Sequence, residues 1–171
     1  MADSIMTEKL TRRGLRVRHI YEFNPLRQIR VSNIMSPLIS VDAKEKVVNV
    51  LREMNDPTHA FSGRKRLVVV RDGIPVGVVD RSSLFQAAST PDPNMTVEEA
   101  ATKSFLTIKE NEFGFEAFRM MTLSDVTFLV VVDGKNKAVG YVSRGDLIRA
   151  HRDKIINDTI IEKGILARVF Q

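Results

Sequence analysis

Apolar and polar positions in this chain run through the same order twice. Val68-Val-Val70 and Val130-Val-Val132 are continuous apolar runs, followed by the turn pairs Asp72-Gly73 and Asp133-Gly134. A second extended run follows each turn, Ile74 to Val79 and Ala138 to Val142. Short apolar runs separated by Asp-Gly predict buried strands joined as hairpins. Gly77-Val-Val-Asp-Arg-Ser-Ser-Leu-Phe-Gln-Ala87 then returns, 63 residues later, as Gly140-Tyr-Val-Ser-Arg-Gly-Asp-Leu-Ile-Arg-Ala150. Glycine, valine, arginine, leucine and alanine recur at matching places, and upstream Arg52/Met54 echoes Arg119/Met121. A repeat of this length implies two copies of one supersecondary unit, neither of which buries its apolar face alone. It also implies two related clefts, so differences between the copies bear on function.

The first repeat is expected over about 31–88. Val31–Met35 reads as a helical turn stopped by Pro37, and Leu38–Val41 as a short strand. Asp42 is the expected cap of a helix over 43–55, with Val47, Val48, Val50, Leu51 and Met54 on its inner face. The hairpin 67–79 and a helix over 82–88 complete the unit. Residues 89–94 have linker composition. The second repeat, over about 95–154, is expected to hold a strand at 105–108, a helix at 113–121, strands at 127–132 and 138–142, and a long helix from Arg144 past His151. Residues 3–13 read as a helix capped by Ser4 and ended by Gly14, and 1–30 as a connector outside the core. The apolar tail 155–171 is expected to pack on the body or on a second subunit. The predicted fold is α/β (α+β): β-α-β-β-α twice, each small sheet covered by helices, in a pseudo-two-fold module.

Composition narrows the class. The 171 residues are 43% hydrophobic, enough for a core, and no apolar run reaches the roughly 18 to 20 residues of a membrane helix. The first residues carry charge where a signal peptide would be apolar. There is no cysteine, which excludes disulfides and thiol chemistry and suits a cytoplasmic location. His19, His59 and His151 lie far apart and read as surface residues, so no metal is expected. The net charge of +5 fits nucleic acid, an anionic membrane or a phosphorylated ligand. Seven basic residues against the single acid Glu22 lie between Lys9 and Arg30, a solvated arm or an anion-facing one.

The ordered elements, with Gly-x-Val-Ser-x-x-Asp-Leu at 140–147, resemble the CBS domain, named after cystathionine β-synthase, twice in tandem over about 31–154. The resemblance implies a compact regulatory module that binds adenine nucleotides (ATP, ADP or AMP) and dimerises through its helices. Asp3-Ser-Ile-Met-Thr-Glu-Lys-Leu-Thr-Arg-Arg-Gly14 is similar to the segment after the last membrane helix of CLC chloride channels and chloride/proton exchangers, with Met6 where tyrosine is common. Gly140 to Arg152 also looks like the end of bacterial CLC cytoplasmic domains. This implies a domain at the cytoplasmic face of the cell membrane, partnered by a CLC membrane domain. The basic residues 9–30 would then meet anionic headgroups, at roughly 1 kcal/mol each.

By the same resemblance, Ser143 and Asp146 are the nucleotide-contacting pair. A carboxylate can accept both hydroxyls of a ribose, and the helix start at Ser143, Arg144 and Asp146 favours an anion. Spacing alone equally allows Asp146 to be a first-turn acid. In the first repeat the aligned residues are Asp80 and Ser83, so the carboxylate is displaced and one competent site per chain is expected. The first repeat would complete the cleft with Pro37, Leu38 and Ile39 after Ser36, and with 61–67. There Arg64, Lys65 and Arg66 either meet phosphates or form an exposed basic loop. Phe61 either covers the adenine or fills the core. This loop is an insertion of about five residues relative to the second repeat. No P-loop, catalytic triad or carboxylate pair is present, Glu98-Glu99 reads as a solvated helical turn, and no enzyme activity is expected. The alternatives are a free-standing CBS energy sensor controlling an enzyme, a dimerisation module without ligand, and a nucleic-acid binder. The last is disfavoured by 6% aromatic residues at core-like positions.

Overall fold

The computed structural model describes residues 24–90 and 92–169. The expected helix over 3–13 and the basic positions up to Arg18 lie outside the described residues. In the first repeat, β1 (Ser36–Pro37) and β2 (Ser40–Asp42) precede α1 (Val47–Asn55), the hairpin β3 (Arg66–Arg71) and β4 (Ile74–Asp80), and α2 (Arg81–Ala88). The second holds α3 (Val97–Ala100), β5 (Thr107–Lys109), α4 (Gly114–Leu123), β6 (Phe128–Val132), β7 (Ala138–Ser143) and α5 (Arg144–Val169). The mixed α+β architecture is the one the sequence predicts.

The valine runs are buried on both faces because each central strand lies between a helix layer and the other sheet. Leu67 and Val69 of β3 pack with Val47, Val50, Leu51, Met54 and Leu84. Leu129 and Val131 of β6 do the same with Ala117, Met121 and Leu147. The alternate residues Val68, Val130 and Val132 meet one another between the sheets, joined by Val78 and Ala138. The layers are therefore helix, sheet, sheet, helix. Asp72 and Gly73, at φ 53° and 82°, make the two-residue turn that the Asp-Gly pair predicts. The second hairpin uses a longer turn, in which the Asp133 carboxylate accepts the N–H groups of Lys135 and Lys137 at 2.8 and 2.9 Å.

The repeats exchange their opening segments. β1 belongs to the first repeat by sequence but pairs with β7, in the sheet ordered β1-β7-β6-β5, while the other sheet is β2-β3-β4. Its counterpart Thr102 bridges Val78 of β4. Upstream, the N–H groups of Val31 and Ser32 bond the carbonyls of Glu112 and Glu110. In the mirror arrangement those of Val97 and Glu98 bond Glu45 and Ala43. Each repeat thus closes the other's helix start, and neither is complete alone.

This exchange corrects several expectations. Helix α1 begins at Val47 rather than Ala43, with Lys46 as N-cap, because the carbonyls of Ala43 and Glu45 are taken by the incoming second-repeat segment. Asp42 instead accepts the Lys44 N–H at 2.8 Å in a local turn. Val48 points outward, 40% exposed, instead of lying on the inner face. The expected strands at 38–41 and 105–108 are displaced to Ser40–Asp42 and Thr107–Lys109. Residues 24–30 are not all connector: Leu26 is buried in the second repeat's core. Residues 155–169 continue α5, and Ile155, Ile156, Ile160 and Ile161 are exposed, which removes packing on the body for these side chains and leaves the second-subunit alternative.

Candidate functional site

Two helix starts flank the groove between the sheets, and the same two residue types build them in opposite order. In the first repeat Asp80 is the N-cap of α2 and accepts the Ser83 N–H at 2.8 Å, while the Ser83 hydroxyl accepts the Asp80 N–H at 3.1 Å. In the second, Ser143 precedes α5 and Asp146 sits three residues on. Its carboxylate reaches back to the Ser143 N–H at 2.8 Å, and the Asp146 N–H donates to the Ser143 hydroxyl at 3.3 Å. Both are reciprocal capping boxes. Swapping serine and aspartate preserves the cap but moves the carboxylate by almost one helical turn.

The two carboxylates therefore differ in setting. Asp80 accepts the Ser82 hydroxyl at 2.6 Å. That bond, then the Ser83 N–H and the nearby Arg66 charge, hold its acidity below the ordinary aspartate range. A depressed folded value stabilises the protein above the unfolded pKa, and the gain is lost as pH falls through the folded value. Asp80→Asn is expected to remove this part of the acid-limb stability loss in urea melts across that window. An unchanged limb would contradict it.

Asp146 is only 5% exposed. Oδ2 accepts the Ser143 N–H and also the Ser143 hydroxyl, the latter at 2.6 Å. Oδ1 accepts the Ser36 hydroxyl at 3.2 Å and Arg149 at 2.5 Å. Ser36 comes from the exchanged strand β1, so this carboxylate ties the two repeats together. It also shows that in this conformation Asp146 is committed to protein donors.

A cavity of about 470 Å³ opens between the repeats, lined by Ile39, Gly63, Arg64, Lys65, Arg66 and Val68 from the first and Thr127, Phe128, Tyr141, Ser143, Arg144 and Gly145 from the second. It thus unites Ile39, Arg64, Lys65, Arg66, Ser143 and Arg144 from the sequence-derived site residues. Asp146 lies behind Ser143 and faces a separate depression with Ile29, Asn33, Ile34 and Arg149. Pro37 is held in β1 opposite Gly140, and Leu38 packs into the core between the sheets. Phe61 packs on the first repeat's core, with its ring edge-on to His59 at 4.6 Å. The walls Thr127, Phe128 and Tyr141 were not singled out by the sequence. The outward phase of Tyr141, next to buried Val142, was the signal that could have found one of them. Arg66 stacks over Phe128, 5.1 Å from the ring centroid, and so fixes one edge of the basic loop against the second repeat.

A family model described as the CBS domain matches residues 31–90 and again 97–153. The chain belongs to the CBS-domain family. No curated protein matches this CBS pair. Among solved structures it is similar to the CBS domain of the bacterial CNNM/CorC family Mg2+ transporter, with 19% identity, TM-score 0.63, and 86% and 94% of the two chains covered. It is also similar to the cytosolic domain of the Mg2+ channel MgtE in complex with ATP, at 26% identity and TM-score 0.56, covering 67% of this chain and 46% of that one. CBSX2 in complex with AMP gives 23% identity, TM-score 0.57, and coverage of 71% and 95%. Among the described residues of this CBS pair, no group of three or more histidine, aspartate or glutamate side chains is arranged to hold a metal.

Proposed function

We propose that this CBS pair is a regulatory module that binds an adenine nucleotide between its repeats and conveys occupancy to a membrane ion-transport protein. The single observation that carries the reading is the cavity itself. It has apolar walls in Ile39, Val68 and Phe128, a helix start at Ser143–Gly145, and four basic side chains with no carboxylate among its lining residues. Apolar walls suit a base, and basic groups at a helix start suit phosphate. Asp146 stands behind Ser143 and outside the cavity wall, so its proposed role as ribose anchor requires the Ser36 hydroxyl to leave Oδ1 and a sugar hydroxyl to take its place. The reversed box at Asp80 offers no such carboxylate, so one nucleotide per chain is proposed.

The parent protein is read as a CLC-type chloride channel or exchanger, on the likeness of residues 3–14 to the segment after its last membrane helix. The module would then sit at the cytoplasmic membrane face, with residues 9–30 against anionic lipid. A Mg2+ transport protein is the competing parent, because two of the solved structures quoted above carry that description. Dimerisation through the helices is supported by the exposed apolar side chains Phe118, Leu123 and Ile148.

Nucleotide bound only to the folded state raises the melting temperature by mass action. At a hundredfold excess over Kd the gain is about 2.7 kcal/mol, a rise of several degrees for a chain of this size. A melting temperature unmoved by millimolar ATP, ADP and AMP would remove the sensor reading and leave a dimerisation module.

A further inference from the structure

The nucleotide cavity has a neighbour. On the other side of the basic loop a second cavity, about 450 Å³, is lined by Gly63, Arg64, Lys65 and Arg66 again, now with Asp80, Arg81 and Ser82. The loop is therefore a ridge shared by two cavities, one reaching the start of α5 and the other the start of α2. Arg64, Lys65 and Arg66 are all exposed. None of them forms an ion pair among the described residues, whereas Arg71, Lys103, Arg119 and Arg149 all do. Arg144, across the first cavity, is paired only with Asp125 at 3.4 Å, whose side chain is 98% exposed, a contact of little strength. Five cations, Arg64, Lys65, Arg66, Arg81 and Arg144, thus line the two cavities against one carboxylate, Asp80, a net charge of +4.

A monophosphate brings about two negative charges at neutral pH. That leaves roughly half of this positive charge unmatched. Each further phosphate adds one charge and lengthens the anion, and the ridge offers a track for it. We propose that the site selects nucleoside polyphosphates over monophosphates. The first phosphate lies at Ser143–Gly145 and the distal phosphates cross the Arg64–Arg66 ridge toward Arg81 and Ser82. Arg64 and Lys65 are the specificity-determining residues. This inference rests on the proposed nucleotide site and adds its ligand class.

The test is calorimetric titration of the whole chain with ATP, AMP and inorganic tripolyphosphate in EDTA buffer, at two salt concentrations. ATP is expected to bind at least tenfold more tightly than AMP, with a steeper loss at high salt. Arg64→Gln/Lys65→Gln should cost ATP tenfold or more and AMP less than twofold. Both positions are exposed, so the variant should melt like the parent. Equal affinity for ATP and AMP, or an equal loss of both in the variant, overturns the polyphosphate assignment while the nucleotide site stands. Binding of no nucleotide and no tripolyphosphate overturns both. Tripolyphosphate binding without any nucleotide binding keeps the anion track and removes the adenine reading.

Discussion

Gly140→Val should cost about 3 kcal/mol of stability, at the upper end of what forced overpacking usually costs. A Cβ at Gly140 would stand 2.7 Å from the Ser36 carbonyl oxygen and 2.9 Å from the Met35 sulfur. The first of these is backbone in the exchanged strand β1, so relief requires β1 to leave β7. The related position behaves alike: a Cβ at Gly77 would lie 2.6 Å from the Ala101 Cβ and 3.3 Å from the Thr102 carbonyl oxygen. Glycine is required at both for close approach, since the opening segment of one repeat crosses the final strand of the other there. The valine branches enlarge the clash and pull β1 away from β7, so the exchanged strand that joins the repeats is loosened. Gly134→Ala is the control. Nothing lies within 4 Å of its Cβ position, and it should change stability by no more than about 0.5 kcal/mol. Urea melts compare the three. Equal midpoints for Gly140→Val and the parent would show that the exchanged strand does not fasten the repeats.

Asp146→Ala is the second large effect. It removes the acceptor of the Ser143 N–H, the Ser143 hydroxyl, the Ser36 hydroxyl and Arg149 at once. The stability cost should be about 1 to 2 kcal/mol, the range for losing a helix cap, since Arg149 is exposed and can turn to water. The cost in nucleotide affinity should be greater, about a hundredfold, or roughly 2.7 kcal/mol. The charge-assisted hydrogen bond to the ribose is lost, and Ser143 loses the partner that orients it beside the phosphate. The comparison with Asp80→Ala separates capping from binding. That variant loses an equivalent cap on α2 yet should keep nucleotide affinity or raise it, because a negative charge leaves the edge of the phosphate track. Calorimetry and melting on both proteins read the two effects. If Asp80→Ala and Asp146→Ala weaken nucleotide equally, the ribose role of Asp146 fails and both acids are caps.

Much of this was legible in the residues because the determinants were local. Asp72-Gly73 fixed one hairpin, the triple valines marked strands covered on both faces, and the serine–aspartate reversal at 80/83 and 143/146 was visible before any contact was known. What stayed hidden was long-range. The N-terminus of α1 could not be placed from Asp42, because its boundary is set by backbone bonds from Val97 and Glu98, some fifty residues away. The burial of Leu26 followed from docking on the second repeat, which no local pattern announces. The site divided along the same line. Arg64, Lys65, Arg66, Ser143 and Arg144, named from charge, the helix start and the family resemblance, line one cavity. Phe128 and Tyr141 became wall residues only once the sheets faced each other. Leu38 and Phe61 looked available as apolar side chains near the cleft, but the cores between and beneath the sheets claim them.

The central claim, that one nucleotide lies between the repeats, is tested most directly by calorimetric titration of the purified chain with ATP beside Asp146→Ala. The account predicts saturable binding near one per chain, lost in the variant while its melt stays cooperative. Binding of two per chain, binding unchanged in Asp146→Ala, or no heat at millimolar nucleotide would contradict it.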